Sequence, residues 1–197
     1  MTSDSFQFSA ENAAAAKVAI ARYPEGRQQS AVMPLLDLAQ RQNGGWLSDD
    51  AIGYVADFLE MPRIRAREVA SFYTMYHLKP MGKHVVGVCT TTPCWLRGSA
   101  EVLDACREAT GAEVGETSED GLFTLFEVEC MGACCNAPMM EIGDDYYEDL
   151  DADSTKRVIE ALKRGETPTP GSQTGRRSSE PANGLTTLKD SQKTESA

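Results

Sequence analysis

Two cysteine pairs constrain this chain more than any other feature. Cys89-Thr-Thr-Thr-Pro-Cys94 follows the apolar run Val85-Val86-Gly87-Val88, and Cys130-Met-Gly-Ala-Cys134 follows Leu125-Phe126-Glu127-Val128. Each pair sits just past a stretch that reads as a buried strand, and 35 residues separate Cys94 from Cys130. If the two strands are neighbours in one sheet, four thiols meet at a single edge. Four converging thiolates are a metal site, and the open question is which metal.

The setting of the thiols supports metal over disulfide chemistry. The start, Met1-Thr-Ser-Asp-Ser-Phe-Gln-Phe, has neither the apolar core of a secretory signal nor the arginines of a transit peptide. No apolar stretch approaches the roughly 20 residues needed to span a bilayer. A cytosolic protein is expected, and stable disulfides are uncommon there. The six cysteines are therefore read as metal or redox residues rather than as staples. A net charge of −11 argues against a nucleic-acid partner, which needs a basic face. Residues 141–153 carry seven acidic side chains and no basic one, and their spacing is not that of a calcium loop. They read as a solvated hairpin and helix start.

Residues 1–80 read as an N-terminal helical domain. Ser9 caps a helix through the Ala13–Ala16 stretch to about Tyr23, where Pro24-Glu25-Gly26 stops it. A second helix spans about Gln29 to Gln42, with Pro34 in its first turn and Asn43-Gly44-Gly45 at its end. Ser48-Asp49-Asp50 caps a third, whose Ile52, Val55, Ala56 and Leu59 share a face. Pro62 opens a fourth carrying Val69, Phe72, Tyr73 and Tyr76, with the aromatic residues expected to pack against the next domain.

Residues 81–165 alternate differently. Strands are expected at about 84–88, 122–129, 139–142 and 146–148, with helices at about 95–109 and 154–163. That β-α-β-β-β-α order fits a compact α/β sandwich of the thioredoxin type. The overall class is thus α+β or α/β, a helical bundle followed by a thioredoxin-like domain. Residues 166–197 turn rich in Gly, Pro, Ser, Thr and Gln, and by composition form a flexible tail. Within it, residues 171–197 hold Arg176, Arg177, Lys189 and Lys193 against Glu180, Asp190 and Glu195, a net of +1, which leaves −12 on residues 1–170. Such a tail folds back on the acidic body or reaches a partner.

Three chemistries compete for Cys89, Cys94, Cys130 and Cys134. A thioredoxin-like dithiol needs C-x-x-C spacing, and these pairs are C-x4-C and C-x3-C. Structural zinc accepts four cysteines but usually on tight C-x2-C turns. A [2Fe–2S] cluster needs two ligands per iron, and plant-type ferredoxins use a C-x4-C span. Thr90, Thr91 and Thr92 offer hydroxyls and amides, Gly132-Ala133 lets the backbone approach closely, and Cys94 starts a helix where the dipole favours an anion. The iron–sulfur reading fits best. Cys106 falls at helical spacing with Val102, Leu103 and Ala109 and reads as a core thiol. Spacing alone does not say whether Cys134 or Cys135 is the ligand. His77 and His84 flank the domain junction without a catalytic partner in the sequence. No nucleotide-binding glycine motif, P-loop or nucleophile elbow appears.

The stretches Val88-Cys89-Thr-Thr-Thr-Pro-Cys94-Trp-Leu-Arg-Gly-Ser99 and Phe126-Glu-Val-Glu-Cys130-Met-Gly-Ala-Cys134-Cys-Asn-Ala-Pro138 resemble the thioredoxin-like iron–sulfur subunit of respiratory NADH:quinone oxidoreductase, complex I. The likeness extends through Tyr23-Pro-Glu-Gly26, Leu36–Asn43, Phe72–Tyr76 and Asp145–Leu150. The resemblance implies one [2Fe–2S] cluster on Cys89, Cys94, Cys130 and Cys134, acting as a one-electron carrier. It also implies a direct partner, the subunit that binds FMN and NADH, and a large iron–sulfur subunit in the same arm. The tail resembles the extension of mitochondrial and related proteobacterial versions. It implies an extended segment on the flavin-binding partner. The flexible and the extended readings agree if the tail orders on binding, with Leu185 and Leu188 as apolar anchors and Arg176 and Arg177 meeting partner carboxylates or carbonyls. The expected location is the peripheral arm of an inner-membrane complex, on the cytoplasmic side of a bacterium. The same cysteine pattern is shared by the diaphorase subunit of soluble NAD-linked hydrogenases and formate dehydrogenases.

Overall fold

A computed structural model describes residues 6–184, 186 and 187. The chain divides into two compact units, Met1–Met81 and Gly82–Ala197.

Caps and breakers shape the first unit. The Ser9 hydroxyl accepts from the Asn12 amide at 3.2 Å and starts α1, Ala10–Ile20. Helix α2, Val32–Gln42, keeps Pro34 in its first turn, and the turn ahead of it, Gln28–Ala31, is a 3-10 helix. Ser48 accepts from the Ala51 amide at 3.1 Å and opens α3, Asp49–Phe58, with two acids in the first turn. Pro62 precedes α4, Arg63–Phe72. The buried Leu35, Leu36, Leu47, Ile52, Val55 and Leu59 form the core of this unit.

The aromatic expectation at the end of α4 needs correction. Helix α4 stops at Phe72, so Tyr73 and Tyr76 lie beyond it. Tyr76 is buried in the first unit's own core, and its hydroxyl donates to the Met33 carbonyl at 2.9 Å. Phe72 and Tyr73 meet edge to face and stay exposed.

The second unit is a five-stranded sheet in the order β2-β1-β3-β4-β5. Strand β1, His84–Cys89, pairs in parallel with β2, Phe123–Val128, which matches Cys89 with Val128. Strand β3, Met139–Ile142, runs antiparallel to β1, and β4, Asp145–Glu148, runs antiparallel to β3. Between β1 and β2 come α5, Thr92–Leu96, and α6, Ser99–Thr110; after β4 comes α7, Ala152–Lys163. Helices α6 and α7 pack together and send Val102, Cys106, Val158 and Ile159 into a core with Val86, Val88, Phe123, Leu125 and Met140. Gly82 passes so close to β2 that a Cβ there would stand 2.7 Å from the Phe123 carbonyl carbon.

This is the expected thioredoxin-like alternation, with two differences. The single helix expected over 95–109 is two helices broken at Gly98, whose φ of 97° suits glycine. The segment after α7, flexible by composition, adds a strand: β5, Gly171–Ser172, pairs in parallel with β4. Backbone pairing needs no apolar side chain, so composition misses it.

Candidate metal centre

The parallel pairing of β1 and β2 brings the two cysteine loops together. Cys89 is the last residue of β1, and Cys130 follows the end of β2 by two residues. Cys94 sits in the first turns of α5, and Cys134 opens a 3-10 turn, Cys134–Asn136. Cys89 and Cys94 are buried beside Ala137 and Met139, whereas Cys130, Cys134 and Cys135 are exposed.

The thiols stand as two interacting pairs. Cys130 Sγ lies 3.4 Å from Cys134 Sγ, and Cys89 and Cys94 interact directly. Cys130 and Cys134 both feel the charge of Cys89, and Cys94 feels that of Cys134, so the four form one electrostatic group. Among the described residues, no three His, Cys, Asp or Glu side chains gather closely enough to hold a single metal ion. The Thr91 hydroxyl is 3.3 Å from Cys89 Sγ and also reaches Cys130.

Each pair contains one thiol that ionises readily and one that resists. Burial opposes the Cys89 thiolate, but hydrogen bonds from the Thr91 hydroxyl and amide, the Cys94 thiol and the Met131 amide outweigh it and hold the thiol below its usual range. Burial pushes Cys94 up to about 12, and its Cys89 neighbour adds to that shift. The Gly132 amide, then the Cys134 thiol and the Thr91 hydroxyl, hold Cys130 down, and bonding to Cys130 raises Cys134. Gly132, at a φ of 82°, gives the loop the left-handed turn that aims this amide. Thiolates are soft ligands, and here they stand as two pairs, with amide and hydroxyl donors beside them, rather than as one four-thiol cage.

The remaining candidates fall outside this group. Cys106 is fully buried, with its Sγ 3.9 Å from Met140 Sδ, as a core thiol should be. Cys135 is exposed, and its carbonyl accepts from Arg176 Nη2 at 2.9 Å. His84 stacks on Phe123 with ring centroids 5.4 Å apart. His77 is half-buried, its carbonyl accepting from the Leu47 amide at 2.7 Å. Burial lowers the pKa of both imidazoles.

Arg176 departs from expectation. It does not hold its side chain out for a partner: it pairs with Asp149 in the same unit, at 3.0 Å from Nε to Oδ2. The acidic 141–153 stretch is therefore not solvated throughout: the Asp149 side chain is only 11% exposed, and Glu141 and Glu148 are partly buried. Leu185 and Leu188 lie outside the described residues. No local sequence signal joins Arg176 to Asp149, which is 27 residues away.

The chain is 54% identical to an NADH-quinone oxidoreductase subunit of Rickettsia conorii over 158 residues, 80% of this chain and 95% of that one. It is 50% identical to the mitochondrial NADH dehydrogenase [ubiquinone] flavoprotein 2 of Dictyostelium discoideum over 183 residues, 93% of this chain and 74% of that one. In fold alone it resembles an NAD+-reducing [NiFe]-hydrogenase, at a TM-score of 0.58 and 20% identity over 66% of this chain and 23% of that chain. The profile of one family matches residues 16–163 and so takes in both cysteine loops. On that span and those relatives, the chain belongs to the thioredoxin-like [2Fe-2S] ferredoxin family.

Proposed function

We propose that this chain is the electron-carrying subunit of an NADH:quinone oxidoreductase, with one [2Fe-2S] cluster held by Cys89, Cys94, Cys130 and Cys134. The observation that carries the reading is the pairing of β1 with β2, which sets two pairs of thiols at one end of the sheet in a chain whose relatives bear that complex's name. The donor set fits: two irons need four thiolates, and the structure offers two pairs with hydrogen-bond donors beside them. When bound, such a cluster takes up and gives back one electron at a time.

The protein's own residues define how that electron is handled. Cys89 and Cys94 are buried among Ala137 and Met139 and exclude water from one side. The exposed Cys130–Cys134 loop is the open side, where a redox partner comes nearest. The direct partner is the subunit holding FMN and NADH, with a large iron–sulfur subunit in the same peripheral arm of the membrane complex. No described helix is long and apolar enough to cross a membrane. The Cys135 thiol is not a ligand in this reading, since Cys134 rather than Cys135 stands against Cys130.

Iron and sulfide analysis with EPR of the reduced, anaerobically purified protein tests the assignment. Alanine at Cys89, Cys94, Cys130 or Cys134 should abolish or badly destabilise the cluster, while Cys135→Ala should keep it. A normal signal from Cys134→Ala with loss from Cys135→Ala reverses the assignment, and a colourless zinc protein overturns the function.

A further inference from the structure

The segment after α7 does more than end the chain. Strand β5 adds to the sheet edge at β4, and the chain then turns back over the 3-10 turn that carries Cys134 and Cys135. Four side chains fasten it there. The Arg176 guanidinium forks onto the Asp149 carboxylate, and Nη2 donates to the Cys135 carbonyl at 2.9 Å while Nη1 donates to the Glu180 carbonyl at 3.1 Å. The Ser172 hydroxyl donates to Asp149 Oδ2 at 2.6 Å. Asn136, 2% exposed, donates from Nδ2 to the Ser178 carbonyl at 2.8 Å and to Glu148 Oε2 at 2.9 Å. Its own carbonyl accepts from the Asp149 amide at 2.7 Å.

These bonds hold the carbonyls of two consecutive residues, Cys135 and Asn136, immediately after the Cys134 thiol. The ion pair is nearly out of water, with side chains 12% and 11% exposed, and a charge pair so placed persists only when its remaining hydrogen bonds are met. Here they are met on both sides. A fork that grips a carboxylate and a carbonyl at once is a property of arginine, which lysine's single ammonium lacks.

We propose that residues 171–180 are a strap of the cysteine-bearing unit, and that Arg176 is the positioning residue through which the strap fixes the Cys130–Cys135 loop. The proposal rests on the reading of Cys130 and Cys134 as cluster ligands. Arg176 acts through the Cys135 carbonyl and Asp149, and the residue it grips, Cys135, is not one of the proposed ligands. Outer partners of this kind commonly change metal affinity by about ten- to a hundred-fold when removed.

The experiment compares the full-length holoprotein with Arg176→Ala, Arg176→Lys, Asp149→Asn and the exposed, charge-matched control Arg177→Ala. Iron release to a chelator and the g values of the reduced cluster are the readouts. Arg176→Ala and Asp149→Asn should speed release by about tenfold or more and shift the g values, with Arg176→Lys between them and wild type. Arg177→Ala should match wild type. An Arg176→Ala protein indistinguishable from Arg177→Ala overturns the proposal, and Arg176→Lys with Asp149→Asn decides the matter if the alanine variant fails to fold. If the wild-type chain binds no cluster at all, the ligand reading fails separately. The strap is then judged by hydrogen exchange of the metal-free chain: faster exchange at amides 134–137 in Arg176→Ala than in Arg177→Ala supports it, and equal rates overturn it.

Discussion

Cys94 and Cys106 are both buried thiols raised to about 12, yet their surroundings give them different work. Cys94 faces another thiol, whereas Cys106 faces the thioether of Met140 and the packed faces of α6 and β3. A thiol with apolar neighbours contributes packing, and its loss leaves a small void. Cys106→Ala should therefore keep the cluster spectrum and lower stability by about 1 kcal/mol, the usual scale for removing one heavy atom from a core. A urea titration beside the EPR spectrum checks both halves of that statement; loss of the cluster would make Cys106 part of the site. At this scale the sequence is informative wherever a residue's role follows from near neighbours. Helical spacing with Val102 and Ala109 marks Cys106 as core, and the two cysteine spacings mark the metal site. It is silent where the partner is remote. Nothing local in Gly175-Arg176-Arg177 distinguishes a guanidinium buried against Asp149 from its exposed neighbour.

Elements announced by their own caps and breakers are legible in the sequence, and those made by pairing to something else are not. Ser9 and Ser48 mark the starts of α1 and α3 because their hydroxyls satisfy amides three residues on. Strand β5 is two residues long, and only the edge of β4 makes it a strand. Tyr76 escapes a local reading for the same reason, since the Met33 carbonyl that receives its hydroxyl is 43 residues away. The strongest local device is at α7. Asp151 accepts from the Ser154 amide at 2.7 Å, and the Ser154 hydroxyl accepts from the Asp151 amide at 2.9 Å. The Ser154 hydroxyl and amide hold the Asp151 carboxyl below its usual 3.8. A carboxyl depressed by folding contributes stability that is present above its unfolded value and is lost as pH falls through the folded one. Asp151→Ala should thus cost about 1 kcal/mol near neutrality. The gap between variant and wild type should close as pH drops below 3.8, and thermal melts across that range measure it. A gap constant down to strong acid would remove the charged cap from the account of α7.

At the scale of the whole molecule, composition and hydrogen bonding divide the last 32 residues differently. Composition treats 166–197 as one tail, because Gly, Pro, Ser and Thr recur throughout it. The bonds treat it otherwise: Ser172, Gln173, Arg176 and the Ser178 carbonyl are tied to β4 and to the cysteine loop. We propose that the part beyond the strap is what reaches the flavin-binding partner. Two truncations separate the parts. A chain ending at Glu166 loses Arg176 and the strap, and its cluster should be released to chelators about as fast as that of Arg176→Ala, even in the free subunit. A chain ending at Gly184 keeps every strap bond, so its EPR spectrum and iron retention should match the full-length protein. That same chain should be retained less well in the assembled enzyme, as read by co-purification of the partner subunits. If the shorter truncation keeps its cluster as firmly as wild type, the strap has no hold on the site. If the Gly184 truncation assembles as well as the full chain, residues 185–197 do not hold the partner.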